Sequence, residues 1–453
     1  MGIITLRQAA AWCGGQIDPK YADVTFLGAS NDSRNIQPGQ LFLALKGARD
    51  GHDFIPMAME NGAAAVLCSH CQGDTPAIVV DDPLKALGDI ARGERERIGM
   101  KVVGVTGSVG KSTTKEMIAC VLEGSYRVSK TPVNHNNNIG MPMAILSMPE
   151  DTQVAVLEMG MNHFREIAYL TSIAKPDIGV IVNIGTMHIE HLGSQEGILQ
   201  AKLEIMEGMG PEGKMILNGD APLLCHVHKT APLPVSYFGI HDPGCAVRAS
   251  DVAQTPGQVS FTVRSDKQSI PMELPVDGEH YISDALAAIS VGIAMGISMV
   301  TIRQRLAAFR NMAGRQEILE VKGFTIIKDC YNAGPESMAA ALTVLGNKPG
   351  RHIAVLGDML ELGVCAQAEH FRIGRIAAEK ADMVLAYGPN SVRIINGCLT
   401  GGMPDSKALA FTDRDQLVEM LLQVAKPGDV LLFKGSHGMH MELALEKFLK
   451  DQT

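Results

Sequence analysis

The amino-acid sequence predicts an α/β fold with three domains. Its 453 residues are enough for about three domains of ordinary size, and a hydrophobic fraction of 46% can fill several cores. Short apolar runs alternate with amphipathic stretches, which is typical of parallel sheets covered by helices. A glycine-rich turn also joins a strand to a helix within Gly104–Thr113. We expect domains at residues 1–98, 99–313 and 314–453.

The first unit is predicted to be an α/β domain of short elements. Leu41–Leu45 is expected to form a strand, and a helix should begin after Asp82 at Pro83 and end near Ile98. The loops beside the strand contain hydroxyl, amide, cationic and glycine residues, a combination suited to a diphosphate or sugar. These candidates are Asn31, Ser33, Lys46 and Gly47. Ordinary solvated loops explain the same composition about as well.

The second unit is centred on Gly-Val-Thr-Gly-Ser-Val-Gly-Lys-Ser-Thr at Gly104–Thr113. The amides of such a turn and the dipole of the following helix favour polyphosphate, so we expect Lys111 to reach the outer phosphates of the ligand and Ser112 to bind Mg²⁺. Lys115 is placed off the apolar stripe of that helix. The general P-loop pattern requires glycine where this chain has Val105, and a chance Lys-Ser pair is the alternative. The predicted nucleotide contacts are Gly107, Ser108, Val109, Gly110, Lys111, Ser112 and Thr113.

Two further predicted strands of this unit end in candidate metal ligands. In open α/β sheets, ligands bind outside the carboxyl ends of the strands. Val154–Leu157 is followed by Glu158, which we expect to bind Mg²⁺ as an acidic residue does in many P-loop enzymes. Ile178–Val182 is followed by a loop in which His188 is the preferred ligand, although a lone histidine is more often structural.

Lys202 lies on the apolar stripe of a predicted helix, Glu196–Met209, whereas Glu204 points away from that stripe. Burial lowers the pKa of a lysine and increases the population of the neutral amine. That amine can capture carbon dioxide as a carbamate, which would offer oxygen ligands to Mg²⁺. The alternative, in which only the Lys202 stem is buried and the ammonium reaches solvent, is favoured by sequence alone.

The third unit again alternates strands and helices, which predicts a Rossmann-like, doubly wound sheet. Its strands are expected at Phe324–Lys328, Ile353–Leu356, Met383–Tyr387 and Val430–Phe433. Domain closure is expected about hinges near residues 98 and 313.

Two polar loops supply further candidate substrate contacts. The loop 131–140 is rich in asparagine, whose side chain both donates and accepts hydrogen bonds, although an ordinary loop is the alternative. Its candidates are Asn134 and Asn137, and those of the loop 329–333 are Tyr331 and Asn332.

Composition excludes several classes of protein. The net charge is −9 and the basic residues are scattered, which argues against a nucleic-acid groove or an anionic membrane surface. No apolar run is long enough to span a membrane, and the N-terminus lacks the pattern of a secretion signal. Nine dispersed cysteines suit a reducing cytoplasm, and the zinc-like pair Cys68 and Cys71 has no second pair at a suitable distance. We expect a cytoplasmic monomer.

Taken together, these motifs resemble the Mur ligase family along essentially the whole chain. The glycines at 104, 107 and 110 are similar to that family's form of the P-loop. The sequences Leu356–Gly363 and Asp329–Ala333 are most similar to the member that adds D-alanyl-D-alanine. The resemblance implies an N-terminal UDP-substrate domain, a central ATPase and a C-terminal domain that binds the incoming amine.

The resemblance also implies roles for individual residues. Lys111, Lys202, His188 and Arg315 would be catalytic. Mg²⁺ would be bound by Ser112, Glu158, His188 and carbamylated Lys202, and Asp329 would lie near the nucleotide. Asn31, Ser33, Lys46 and Gly47 would bind the UDP moiety. Asp284 would contact adenine, but the family has asparagine there, and an ionised carboxylate can accept a hydrogen bond but cannot donate one.

The reaction implied is ATP-dependent joining of D-alanyl-D-alanine to UDP-N-acetylmuramoyl-tripeptide through an acyl phosphate, a step of peptidoglycan precursor synthesis. The third residue of the tripeptide is left open between lysine and diaminopimelate. The alternatives are another amino-acid ligase of the family, an enzyme resembling folylpolyglutamate synthase, or a P-loop switch ATPase. The last two leave the first domain without a function.

Overall fold

A computed structural model describes residues 2–71, 73–265, 268–312 and 314–452. Within these ranges the chain forms three α/β units whose sheets lie inside the three predicted segments. The domain limits remain predictions, and Ala313, at the predicted second hinge, lies outside the described residues. The α/β class and the three-unit organisation are confirmed.

The first unit contains a parallel four-stranded sheet and a short antiparallel pair. Its strands are β1 (Ile4–Thr5), β2 (Thr25–Phe26), β3 (Ala29–Ser30), β4 (Leu41–Leu43), β5 (Ala65–Cys68) and β6 (Ala77–Val79). Its helices are α1 (Leu6–Cys13), α2 (Ile55–Glu60) and α3 (Pro83–Ile98). Helix α3 begins as predicted, because the Asp82 carboxylate accepts hydrogen bonds from the amides of Leu84 (2.9 Å) and Lys85 (3.1 Å).

The second unit is organised by a nine-stranded sheet in the described ranges, with the order β15-β14-β13-β12-β11-β10-β7-β9-β8. Its strands are β7 (Lys101–Thr106), β8 (Val128–Lys130), β9 (Val154–Glu158), β10 (Ile178–Ile181), β11 (Lys214–Asn218), β12 (Val235–Gly239), β13 (Val247–Thr255), β14 (Gln258–Ser265) and β15 (Gln268–Leu274). Strand β7 pairs in parallel with both β9 and β10, so the carboxyl ends of these three strands are adjacent. Strands β13, β14 and β15 pair in antiparallel fashion at one edge of the sheet.

Helices of the second unit cover both faces of this sheet. They are α4 (Lys111–Leu122), α5 (Gly140–Leu146), α6 (Glu166–Ala174), α7 (Ile189–Leu192), α8 (Gln195–Leu203), α9 (His280–Ala294) and α10 (Met299–Ala307). The helix predicted to reach Met209 ends at Leu203 and continues as a 3₁₀ helix, Glu204–Gly208. The predicted outward orientation of Glu204 is wrong. Its buried carboxylate accepts hydrogen bonds from the amides of Arg165 (2.8 Å) and Ala168 (3.1 Å), at the start of α6.

The third unit has a mostly parallel sheet in the order β16-β17-β21-β18-β19-β20. Its strands are β16 (Glu317–Val321), β17 (Phe324–Asp329), β18 (His352–Gly357), β19 (Met383–Tyr387), β20 (Ala408–Phe411) and β21 (Val430–Lys434). Its helices are α11 (Pro335–Gly346), α12 (Ala366–Lys380), α13 (Ser391–Thr400), α14 (Arg414–Val424) and α15 (Met441–Asp451). In the part of the chain that is described, no helix is long and apolar enough to cross a membrane.

Candidate active site

A cavity of about 820 Å³ lies at the carboxyl ends of β7, β9 and β10 and extends to the third unit. The structure brings together residues that the sequence predicted from three separate segments. Those that line the cavity are Ser108, Val109, Gly110, Lys111, Ser112, Thr113, Asn137, Glu158, His188, Asp284, Arg315, Asp329, Tyr331 and Asn332. Gly107 and Lys202 lie outside this lining, as does Asn134.

The P-loop has the turn that phosphate binding requires. Gly110 adopts a left-handed φ of 85°, and a Cβ added there would lie 2.6 Å from an Asp284 carboxylate oxygen, so glycine is required for space as well as conformation. The Lys111 ammonium donates to the carbonyl oxygens of Gly107 (2.8 Å) and Ser108 (3.2 Å), which keeps it inside the turn. Burial lowers its pKa. Val105 replaces a P-loop glycine without strain because it is still part of strand β7, paired with β9.

Asn183 is a P-loop contact to which the sequence analysis gave no role. Its side-chain oxygen accepts hydrogen bonds from the amides of Ser108 (3.0 Å) and Val109 (2.9 Å), and its amide group donates to the Val109 carbonyl (2.9 Å). The sequence did contain a signal for this role, since Asn183 directly follows a predicted parallel strand, which lies beside β7. The side chain fixes the turn from the neighbouring strand end.

Glu158 presents a carboxylate to the cavity. Its two oxygens accept hydrogen bonds from the Ser112 hydroxyl (2.6 Å) and the Asn136 side chain (2.8 Å). Burial opposes ionisation, but the positive charge of Lys111 and these hydrogen bonds outweigh it, and the pKa of Glu158 lies below its ordinary value. The ionised carboxylate beside a serine hydroxyl is an oxygen donor set that suits Mg²⁺.

His188 meets the third unit at the edge of the same cavity. Its backbone is left-handed, with a φ of 64°, and its Nδ1 lies 2.6 Å from an oxygen of Glu361. Burial and the nearby charge of Lys111 lower the pKa of His188, with Glu361 opposing them. A neutral imidazole is the form that binds a metal ion.

Lys202 is buried, as predicted, with 2% of its surface exposed. Burial, together with the charge of Lys111, places its pKa well below the ordinary value. Among the described residues, no hydrogen-bond or ion-pair partner is found for its ammonium group. The described ranges contain no group of three or more His, Cys, Asp or Glu side chains that could hold a metal ion. Mg²⁺ binding by Ser112, Glu158, His188 and carbamylated Lys202 stays a prediction.

Arg315 links the third unit to the P-loop. Its guanidinium donates to the Ser112 hydroxyl (2.9 Å) and stacks on the Tyr331 ring, with 3.9 Å between the guanidinium carbon and the ring centroid. The Tyr331 hydroxyl in turn donates to the side chain of Asn134 in the asparagine-rich loop. A cation is thereby placed directly over the serine that is expected to bind Mg²⁺.

Two acidic residues of the site differ in environment. Asp284 is buried and accepts a hydrogen bond from the Thr114 hydroxyl (2.7 Å), and burial raises its pKa to about 7. Asp329 forms an ion pair with the buried ammonium of Lys434 at 2.6 Å. The sequence analysis placed Asp329 near the nucleotide but missed this partner.

Lys115, which the sequence placed off the apolar stripe of α4, is buried completely, because α4 is covered on more than its apolar side. Its ammonium donates to the Thr131 carbonyl (2.7 Å) and lies 3.2 Å from a Glu116 oxygen. The Thr131 hydroxyl accepts a hydrogen bond from the Glu158 amide (3.0 Å). Lys115 therefore stabilises the strand ends that carry Glu158 and the asparagine-rich loop.

The four predicted UDP contacts do not line the catalytic cavity. Asn31, Lys46 and Gly47 are exposed on the first unit. Ser33 is buried, and its hydroxyl lies 3.4 Å from the Met57 sulfur. Their role in UDP binding stays a prediction.

The fold and the site define a three-unit α/β enzyme in which the C-terminal unit contributes residues to the cavity beside the P-loop. The chain belongs to the Mur ligase family. It matches three family profiles: "Mur ligase family, catalytic domain" at residues 24–95, "Mur ligase middle domain" at 105–292 and "Mur ligase, glutamate ligase domain" at 314–437.

Several similar proteins are named as one particular member of this family. The chain is 38% identical to the UDP-N-acetylmuramoyl-tripeptide--D-alanyl-D-alanine ligase of Bacillus subtilis, over 97% of this chain and 96% of that protein. Its structure is similar to a crystal structure of MurF from Acinetobacter baumannii, with a TM-score of 0.91, 30% identity and complete coverage of both chains. It is also similar to MurF from Thermotoga maritima in complex with ADP, with a TM-score of 0.83, 29% identity, and coverage of 94% of this chain and 98% of that one.

Proposed function

We propose that this enzyme uses ATP to join D-alanyl-D-alanine to UDP-N-acetylmuramoyl-tripeptide, forming the UDP-muramoyl-pentapeptide precursor of peptidoglycan. The proposal depends above all on one observation. The P-loop Lys111 and Ser112 share a cavity with Arg315, which the third unit supplies, so a nucleotide phosphate and a second substrate can meet there. Full-length similarity to ligases named for this reaction supports the choice of substrates.

An acyl phosphate is the chemical reason for using ATP. A carboxylate oxygen of the tripeptide attacks the γ-phosphorus, the bond to the bridging oxygen breaks, and ADP leaves. The amine of D-alanyl-D-alanine then attacks the acyl carbon, loses a proton and expels phosphate. Lys111 and Arg315 reduce the repulsion between the two anions, and their positions are fixed by the carbonyls of the turn and by the Tyr331 ring.

Mg²⁺, when bound, would neutralise phosphate charge and orient the transferred group. Ser112, Glu158 and His188 are the residues that would hold it, since they offer a hydroxyl, an ionised carboxylate and a neutral imidazole. Carbamylated Lys202 would complete the set. Its amine is buried and its pKa is lowered, so the neutral form that reacts with carbon dioxide is favoured.

A product assay tests the proposed function. Enzyme, ATP and D-alanyl-D-alanine are incubated with a UDP-tripeptide ending in lysine or in diaminopimelate, and products are identified by mass spectrometry. The expected result is a UDP-pentapeptide with one of the two, together with ADP and phosphate. Lys111→Ala should form it at least about a thousandfold more slowly, because it loses a phosphate-binding cation. ATP hydrolysis without any pentapeptide would instead favour a switch ATPase.

A second assay addresses the carbamate. Wild-type activity should fall when bicarbonate and dissolved carbon dioxide are removed and should return when bicarbonate is added. Lys202→Ala should be inactive under both conditions. Full activity of Lys202→Ala in bicarbonate-depleted buffer would rule the carbamate out.

A further inference from the structure

We infer that Glu361 of the third unit is a positioning residue that orients the His188 imidazole for metal binding across the domain interface. The inference rests on the proposed role of His188 as a ligand. Residues 173 positions apart in the chain meet here, with 2.6 Å between His188 Nδ1 and Glu361 Oε2. When Nδ1–H donates to this carboxylate, the lone pair of Nε2 is left available. Hydrogen bonds of this kind fix the tautomer and the ring orientation of metal-binding histidines.

Both partners are held in unusual backbone conformations. Glu361 has a φ of 61° and His188 a φ of 64°, in the left-handed region that residues other than glycine rarely occupy. Such conformations persist where the surroundings determine them, and they cluster at functional sites. A short contact between two residues that both adopt this conformation indicates that the surrounding structure determines the contact between the units.

The loop that carries Glu361 is fixed to the third unit. The Met359 amide donates to His370 Nε2 (2.9 Å), and the Leu360 amide donates to the Ser436 hydroxyl (2.9 Å). Met359 and Leu362 on either side are buried, each with 1% exposed. The backbone that carries Glu361 is therefore anchored within the third unit.

The same loop lies closely over the short helix that follows His188. A Cβ added at Gly363 would be 3.0 Å from the Glu190 Cβ, so the two backbones approach with little free space. A separate carboxylate, Glu336, accepts a hydrogen bond from the Thr186 amide (3.1 Å) on the same segment. The 186–191 segment is thus contacted by two acidic residues of the third unit, only one of which contacts His188.

The consequence is a link between domain docking and metal binding. His188 receives its orienting carboxylate only when the third unit, which binds the amine substrate in the proposed reaction, is docked. Glu361 would therefore strengthen metal binding in the closed enzyme and not in the open one.

Metal affinity, measured without turnover, tests this inference. Mn²⁺ replaces Mg²⁺, a non-hydrolysable ATP analogue is present at saturation, and free Mn²⁺ is followed by electron paramagnetic resonance in bicarbonate buffer. Glu361→Ala should weaken Mn²⁺ binding by about ten- to a hundredfold. Glu361→Gln, which can still accept from Nδ1–H, should recover most of that loss. Analogue affinity without metal and the thermal unfolding midpoint should change little.

Two comparisons distinguish an effect on the orientation of the His188 ring from an effect on the docking of the third unit. Glu336→Ala removes the other cross-interface carboxylate and should weaken Mn²⁺ binding by no more than about fivefold. In a His188→Ala background, Glu361→Ala should have no further effect, because Glu361 acts through that ring. Three outcomes would each overturn the inference. Glu336→Ala and Glu361→Ala could lower Mn²⁺ affinity equally, the losses could add in the variant that combines His188→Ala with Glu361→Ala, or Glu361→Ala could leave the affinity unchanged. Because no peptide substrate is used, these results are independent of the product assay.

Discussion

The two junctions between the three units are built in opposite ways. The first unit shares one apolar cluster with the second, and it contains residues of α3 and α6 such as Leu87, Ile90 and Ile173. A Cβ added at Gly88 of α3 would lie only 2.4 Å from the Tyr169 hydroxyl on α6. The buried apolar clusters of the third unit contain no described residue from the other two. Hydrogen bonds and ion pairs cross the second junction instead, among them those from Arg315 to Ser112, Glu336 to Thr186, Glu361 to His188 and Lys348 to Asp277, beside a few close apolar approaches such as that of Met187 to Gly334.

This difference indicates where the molecule can open. Separating the first junction would expose apolar surface, which costs about 25 cal/mol per Å². Polar groups at the second junction can exchange their partners for water at a small net cost. We therefore expect motion at the second junction and not at the predicted hinge near residue 98. The reacting groups lie beside the junction that can move.

Among variants at the two junctions, the largest effect on catalysis is expected from Arg315→Ala. Removing a cation aimed at the transferring phosphoryl group should lower kcat by about a thousandfold or more, while the unfolding midpoint changes little. Phosphate release at saturating substrates measures the first quantity and calorimetry the second. Arg315→Lys, which keeps the charge but loses the planar stacking on Tyr331, should be intermediate. A kcat near the wild-type value would place the catalytic cation elsewhere.

A substitution at the apolar first junction should change the stability of the protein and not its catalytic rate. Ile173→Ala removes buried surface between α6 and α3 and should lower the free energy of unfolding by about 2–4 kcal/mol, measured by urea denaturation. Ile173→Val, the matched control, should lower it by about 1 kcal/mol. Activity per folded molecule should stay close to that of the wild type. A loss of kcat as large as that of Arg315→Ala would mean that the first junction also moves during catalysis.

A pH effect is expected from Asp284, which lies between the P-loop and Arg315. Burial raises its pKa from 3.8 to about 7, so the folded state favours the neutral acid. This contribution to stability is complete below about pH 4 and is lost as the pH rises towards 7, by up to about 1.4 kcal/mol per pH unit. Asp284→Asn should abolish that part of the pH dependence in urea unfolding between pH 4.5 and 7.5. If the free energy of unfolding depended on pH in the same way in both proteins, the raised pKa of Asp284 would be contradicted.

At the first junction, the sequence predicted the bounds of helix α3 but not the residues against which it packs. Helix α3 has its predicted bounds because Asp82 caps its start and Gly99 adopts the left-handed conformation at its end. That α3 belongs to the core of the next unit is a tertiary contact, which no local signal encodes. The outward prediction for Glu204 failed for the same reason, since its partners lie on α6.

The second junction shows the same limit at the level of the site. Lys111, Ser112 and Glu158 line one cavity because each lies at the end of a parallel strand or in the turn after it, which the sequence pattern indicates. Two partners were missed. Glu361 of the third unit meets His188 of the second across 173 residues of sequence, and Lys434 meets Asp329 across 105 residues within the third unit, where β21 pairs with β17. Sequence order does not show which strand lies beside another in a sheet, nor which group of another unit faces a strand end.

The smallest effect is expected from Glu336→Ala, which weakens docking alone. The Glu336 carboxylate accepts hydrogen bonds from the Thr186 amide (3.1 Å) and hydroxyl (3.3 Å) at an exposed position, so its loss should cost about 1 kcal/mol. That value corresponds to about a fivefold change in the ratio of open to closed molecules. Small-angle scattering with a saturating ATP analogue should show a larger mean radius of gyration, and Glu336→Gln should lie close to wild type. No change in the open fraction would mean that the other contacts across the second junction, including those of Arg315, Glu361 and Lys348, are sufficient to close it.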